Sequence, residues 1–144
     1  MQAEIITIGD ELLIGQTVDT NSAWIGAELS KQGIKVYQIT SITDQKEHIM
    51  TALQQAEGRS DLILITGGLG PTKDDITKAT LCDYFDTTLE MNQEVLDEIE
   101  NYFKKREIKV LQVNRDQAML PKSAKVIRNW QGTASGMWFE KQAK

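Results

Sequence analysis

What is scarce in this chain narrows its reading first. There is one cysteine, Cys82, in 144 residues, so an internal disulfide is excluded, and no Cys or His stands near it at metal-ligand spacing. Cys82 is therefore expected in the core. No block of Lys and Arg offsets a balance of 16 basic against 21 acidic residues, net −5, which argues against a nucleic-acid partner. A small anionic ligand fits that balance if a metal offsets the repulsion. No apolar run has membrane length, and Met1 to Ile5 leads into a strand-like run without the regions of a signal peptide. No membrane association and a cytoplasmic location are expected. Repeats, low-complexity tracts and linkers are also lacking. The single histidine, His48, lies one turn into a helical segment, where a surface or packing role is expected and no catalytic one.

With 40% hydrophobic residues the chain can bury a core, and one compact domain over 1–144 is expected. Short β-branched runs at Glu4 to Ile8, Val36 to Ile42 and Asp61 to Thr66 read as strands, each followed by a segment of helical period. That order predicts an α/β fold, a mostly parallel sheet with covering helices. The first helix is expected to start near Asp19 to Ser22, to carry Trp24, Ile25 and Leu29, and to stop before Gly33. The second starts at Asp44, where Glu47 stands at capping-box spacing, and ends around Gly58. A third runs from about Asp74 to Phe85. A fourth, Asn92 to Arg106, repeats Val95, Leu96, Ile99 and Phe103 as an apolar stripe. Lys125 to Ile127, a polar turn at Asn129 to Gly136 and then Met137 to Phe139 suggest a hairpin added to the sheet. Trp24, Trp130 and Trp138 are expected in the core or an interface, with Trp130 also placed to flank a ligand ring.

Chemistry is expected at the run Thr66-Gly67-Gly68-Leu69-Gly70-Pro71-Thr72-Lys73-Asp74-Asp75. It lies between a strand's carboxyl end and a helix, where open α/β sheets bind ligands. Glycines let backbone amides approach a phosphate, and the positive end of the following helix adds to the attraction. The run is not a Walker A loop, and Lys73 replaces the third glycine of a dinucleotide fingerprint. An ordinary strand-to-helix turn would also use glycines. The carboxylates that follow it, Asp74 and Asp75, would repel an anion unless a divalent cation bridged them, pointing to Mg²⁺ or Mn²⁺; helix capping is the plainer explanation of the pair alone. Asp10 and Asp44 also follow strands, so a parallel sheet would gather Asp10, Asp44 and Asp75 on one edge as a three-carboxylate metal site. Each is equally explained as a turn or cap residue.

At these residues the chain resembles the molybdopterin-binding, MoaB/Mog-like domain, and most closely the N-terminal domain of the competence/damage-inducible protein A family, CinA. The resemblance rests on Ile8-Gly9-Asp10-Glu11-Leu12-Leu13 with Gly15 and Asp19-Thr20-Asn21, on Thr66 to Thr77, and on Asn129 with Gly132-Thr133-Ala134-Ser135-Gly136. It covers essentially the whole chain. It implies a three-layer α/β/α domain that binds a small nucleotide or pterin phosphate. Asp44 and Asp75 resemble the family's catalytic, metal-associated aspartates, with Asp10 near the same site and a divalent cation, Mg²⁺, Mn²⁺ or Co²⁺, as cofactor. Gly67, Gly68, Leu69, Gly70 and Thr72 resemble the phosphate contact, and Thr133 to Gly136, with Thr133 and Ser135 as contacts, a second wall. The activity implied is metal-dependent hydrolysis of a nucleotide pyrophosphate such as ADP-ribose. The Mog-like alternative is adenylylation of molybdopterin, and a third is nucleotide binding without turnover. Related domains commonly form homo-oligomers.

Two departures from the family pattern stand out. Ser135 replaces a proline common in the Gly-Thr-Ala-Pro-Gly turn, losing that residue's fixed φ and loosening the wall. The sequence ends at Lys144, before a strand and loop that usually complete the pocket and before the amidase domain of two-domain relatives, so a truncated domain is expected and the amidase activity is not carried over.

Overall fold

A computed structural model describes residues 1–69 and 75–141, with Asp75 described by its backbone alone. Two compact units divide the chain, Met1–Gly68 and Leu69–Lys144. The first holds β1 (Gln2–Ile8), α1 (Asp10–Leu13), α2 (Thr20–Lys31), β2 (Lys35–Ile42), α3 (Lys46–Glu57) and β3 (Leu62–Gly67). Its three strands form a parallel sheet in the order β2-β1-β3. Because β2 and β3 flank β1, right-handed crossovers through α2 and α3 place those helices on opposite faces. The burial of β1 agrees. Every residue from Ala3 to Ile8 is buried, which suits a central parallel strand covered on both sides. Ile5, Ile6 and Ile8 are 0–1% exposed, each contributing about 2 kcal/mol of transfer free energy. Their neighbour Glu4 is 1% exposed. Its carboxylate accepts from Arg59, with Nη2 to Oε2 at 3.0 Å, and from the Ser60 hydroxyl at 3.1 Å.

Both helices show why they sit as they do. Asp19 caps α2 by accepting from the Ser22 amide at 2.9 Å, and Ser22, Ile25, Gly26 and Leu29 make its inner stripe. Trp24 falls off that stripe and is 66% exposed. Of the core or interface placement expected for it, exposure excludes the core, as it does for Trp130 at 76% and Trp138 at 45% exposed. In α3, Ile49, Ala52, Leu53 and Ala56 are buried at helical spacing. Its expected start is corrected: the cap residue is Gln45 with no side-chain cap bond, and Asp44 is a bend residue ahead of it. Gln45 is extended, φ −105° and ψ 137°, which denies Asp44 the helical first residue that a cap requires. Gly9 N donates to Ile42 O at 3.0 Å, which keeps the chain extended to the end of β2.

The second unit holds α4 (Asp75–Tyr84), β4 (Leu89–Met91), α5 (Gln93–Lys104), α6 (Gln112–Arg115), a 3₁₀ turn (Asp116–Ala118), β5 (Met119–Pro121), β6 (Lys125–Ile127) and β7 (Gly136–Trp138). Asn92 caps α5 by accepting from the Val95 amide at 3.1 Å. Val95, Ile99, Ala118 and Leu120 form a buried cluster against which Leu96, Phe103, Val126 and Met137 pack. Cys82 is buried, in accord with expectation, and burial, with Asp83 nearby, pushes its thiol pKa up. The β6–β7 hairpin forms as expected but pairs only with itself among the described residues. The expectation that it extends the parallel sheet is corrected: its strands are antiparallel three-residue pieces, satisfied by each other. Among the described residues no helix is long and apolar enough to cross a membrane.

Candidate functional site

The three parallel strands end level with one another. Ile8 pairs with Ile42 on one side and with Gly67 on the other, so residues just beyond the strands collect on one sheet edge. Asp10 and Asp44 are both there, Asp10 exposed at the start of α1 and Asp44 half-buried before α3. Asp75 opens α4 in the other unit, and its side chain lies outside the described residues. Among the described residues no group of three or more His, Cys, Asp or Glu is arranged to hold a metal. Two members of the expected triad thus share an edge, and the described residues alone do not complete a cation site.

The glycine run starts at that edge. Gly67 has φ +92° and Gly68 φ +64°, conformations that side chains strain to adopt. A Cβ at Gly67 would lie 2.0 Å from Ile8 O, so the strand ends approach more closely than any side chain allows. Leu69 is half-buried. Gly70 and Thr72, with Pro71, Lys73 and Asp74, lie outside the described residues.

A cavity of about 140 Å³ opens beside Gly67. The end of β1 (Thr7, Ile8), α1 (Glu11, Leu12), the segment entering α2 (Thr17 to Asn21) and the end of β3 (Thr66, Gly67) line it. Thr7 is fully buried, its hydroxyl 2.8 Å from that of Ser41. Burial alone would push the Asp19 carboxyl pKa up, but hydrogen bonds from Ser22, Thr7 and Asn21 outweigh it and hold it below the usual carboxylate range. Glu11 folds back over Gly9: a Cβ on Gly9 would fall 2.4 Å from Glu11 Oε1. Gly15, at φ +73°, turns the chain after α1, and the amides of Gln16 and Thr17 return to Glu11 O at 2.9 and 3.2 Å.

Glu11 and Asp19 are the carboxylates on this wall, and sequence reasoning singled out their segment while assigning the chemistry to Asp10. Adjacent residues on a helix point about 100° apart, so a single turn such as α1 cannot turn both Asp10 and Glu11 toward one cavity. Asp19, three residues ahead of Ser22, was legible as a cap and not as a wall.

Thr133 and Ser135 lie in the turn between β6 and β7. Asn129 organises it, its Nδ2 donating to Ala134 O and its Oδ1 accepting from Gln131 N, both at 3.0 Å. Ser135 is 7% exposed and Thr133 half-buried. Trp130 is exposed, with the Arg128 guanidinium 5.8 Å from its ring centre.

A parallel sheet with a bare-backbone glycine turn and a cavity of mixed polar and apolar lining on its carboxyl edge is the arrangement of a small-ligand-binding α/β domain. Residues 4–143 match the family described as "Probable molybdopterin binding domain", and the chain belongs to that family. Within it the chain is similar to the CinA-like protein of Flavobacterium psychrophilum, 51% identical over 99% of this chain and 34% of that protein. It is also similar to the CinA-like protein of Cytophaga hutchinsonii, 51% identical over 96% of this chain and 33% of that protein. The chain thus spans about a third of the length of these curated relatives. The crystal structure of the protein CinA from Thermoplasma acidophilum, described as of unknown function, superposes with a TM-score of 0.82 at 35% identity, covering 94% of this chain and 79% of that one. The molybdopterin biosynthesis enzyme MoaB of Thermus thermophilus gives 0.55 at 25% identity, over 66% of this chain and 61% of that one. The fold class is the three-layer α/β/α of MoaB/Mog-like domains, of the CinA type.

Proposed function

We propose that the glycine-lined sheet edge binds the diphosphate of a nucleotide such as ADP-ribose and that the domain hydrolyses it with the help of Mg²⁺, Mn²⁺ or Co²⁺. The observation that carries this reading is Gly67, whose positive φ and 2.0 Å Cβ contact with Ile8 O leave bare backbone at the sheet's carboxyl edge, where a diphosphate can approach amide groups. Asp10, Asp44 and Asp75 would hold the cation, which supplies charge neutralisation and a more acidic water. The backbone from Gly67 through Gly70 and Thr72 orients the diphosphate, with Thr133 and Ser135 on the turn that walls the ligand. A water oxygen bonds to one phosphorus as the bridging P–O bond breaks, leaving a nucleoside monophosphate and a phosphorylated sugar. The water's protons leave through a carboxylate of the site.

The test is ADP-ribose turnover with each cation by this chain, with Asp44→Asn and Asp75→Asn alongside. Loss of about 100-fold or more in kcat is expected for each substitution; unchanged turnover in an active chain would refute the assignment. A second reading, adenylyl transfer from ATP to molybdopterin, is favoured by the family description and by the likeness to MoaB. Pyrophosphate release that depends on molybdopterin would select it. Metal-dependent nucleotide binding in calorimetry without any product would select a binding module. A cytoplasmic homo-oligomer, with Trp138 and Phe139 at its interface, completes the proposal and is checked by light scattering.

A further inference from the structure

We propose that the cavity beside Gly67 takes the hydroxyl-bearing sugar of the ligand and that the Glu11 carboxylate is its specificity-determining acceptor. This rests on the nucleotide reading for the identity of the rest of the ligand, although the sugar site is testable without it. Three classes of occupant can be weighed against the walls. A phosphate would face the carboxylates of Glu11 and Asp19 with no Lys, Arg or His among the described residues lining the cavity, a like-charge arrangement that repels it. A divalent cation finds no group of three His, Cys, Asp or Glu among the described residues, and Asp19 is already engaged by its cap bond to Ser22. An apolar ring would suit Ile8, Leu12 and Val18 but would cover the hydroxyl and carboxylate groups beside them without pairing them, whereas a sugar offers C–H faces to the first and hydroxyls to the second.

A sugar hydroxyl both donates and accepts, which matches these walls. The Glu11 carboxylate accepts no hydrogen bond from the described residues, so its lone pairs are open to the hydroxyls of a diol. Thr17, Thr66 and Asn21 add groups that donate and accept. Gly67 belongs to the same wall, which lets one ligand place its diphosphate on the glycine turn and its sugar in the cavity. Gly9 seats the carboxylate: a Cβ there would lie 2.4 to 2.7 Å from its atoms. The contact is with the tip of a flexible side chain, so Gly9→Ala swings Glu11 aside without moving backbone.

Calorimetric titrations of the chain with ribose 5-phosphate, ADP-ribose, inorganic pyrophosphate and Mn²⁺ alone test this in wild type, Glu11→Ala and Gly9→Ala. Both variants are expected to weaken the two sugar-bearing ligands about tenfold and to leave pyrophosphate and Mn²⁺ within about twofold. Unfolding midpoints check that the variants fold, and Glu11→Ala carries the test if Gly9→Ala does not. Loss of pyrophosphate or Mn²⁺ binding with Glu11 would overturn the proposal, as would a wild type that binds neither sugar-bearing ligand or variants that bind both unchanged. Glu11-dependent binding of ribose 5-phosphate without binding or cleavage of ADP-ribose would uphold the sugar site and refute the nucleotide diphosphate reading.

Discussion

Gly67 carries two constraints at once, a left-handed backbone and a 2.0 Å approach to Ile8 O. Gly67→Ala should therefore cost at least about 2 kcal/mol, read as a lower urea midpoint at unchanged slope; an unchanged midpoint would show that the strand ends can part freely. Glu4 shows a different residue-scale economy. The hydrogen bond from Arg59 most of all, against the opposing effect of burial, holds its carboxyl below the ordinary value of 4.5. A depressed carboxyl contributes stability above its unfolded-state pKa and loses it as pH falls through the folded-state pKa. Glu4→Gln should thus unfold earlier than wild type at pH 7, by about 2 kcal/mol, and the gap should close on acidification below 4.5. A gap independent of pH would mean that the ion pair is not its source.

Caps decide where several of these elements start. Asp19 serves α2 and also receives the Thr7 hydroxyl, so Asp19→Ala should cost about 1 kcal/mol or more and lower the thermal midpoint; a neutral outcome would mean that water replaces the cap. Asp19 and Asn92 were legible because a short polar side chain ahead of a helical stripe has few other uses. Asp44 and Glu47 had the same spelling, yet Gln45 stays extended, φ −105° and ψ 137°, where a helix capped by Asp44 needs its first turn. The parallel strands were legible from their β-branched runs to within a few residues. β4 and β5 were not, since each has three residues and pairs across the whole of α5, too short for a period and too distant for a turn signal. α1, a single turn, is likewise shorter than any periodic pattern, and for that reason Glu11 was passed over in favour of Asp10.

At the scale of the molecule, the order of strands and helices made the parallel sheet and its carboxyl edge readable before any coordinates. The convergence of Asp10 and Asp44 on that edge follows from strand register alone. Packing on the surface did not follow: all three tryptophans are exposed, because the helical stripe and the short hairpin bury other residues. A net charge of −5 and a carboxylate-lined cavity leave an anionic ligand dependent on backbone amides and a cation. The most direct test of that dependence follows the phosphorus resonances of ADP-ribose with this chain in Mn²⁺-free Mg²⁺ buffer. The diphosphate signals should give way to two monoester signals, and should persist when Mg²⁺ is chelated or Asp75 is changed to Asn. Diphosphate signals that persist with the folded chain and Mg²⁺, or that vanish equally in Asp75→Asn, would contradict the site.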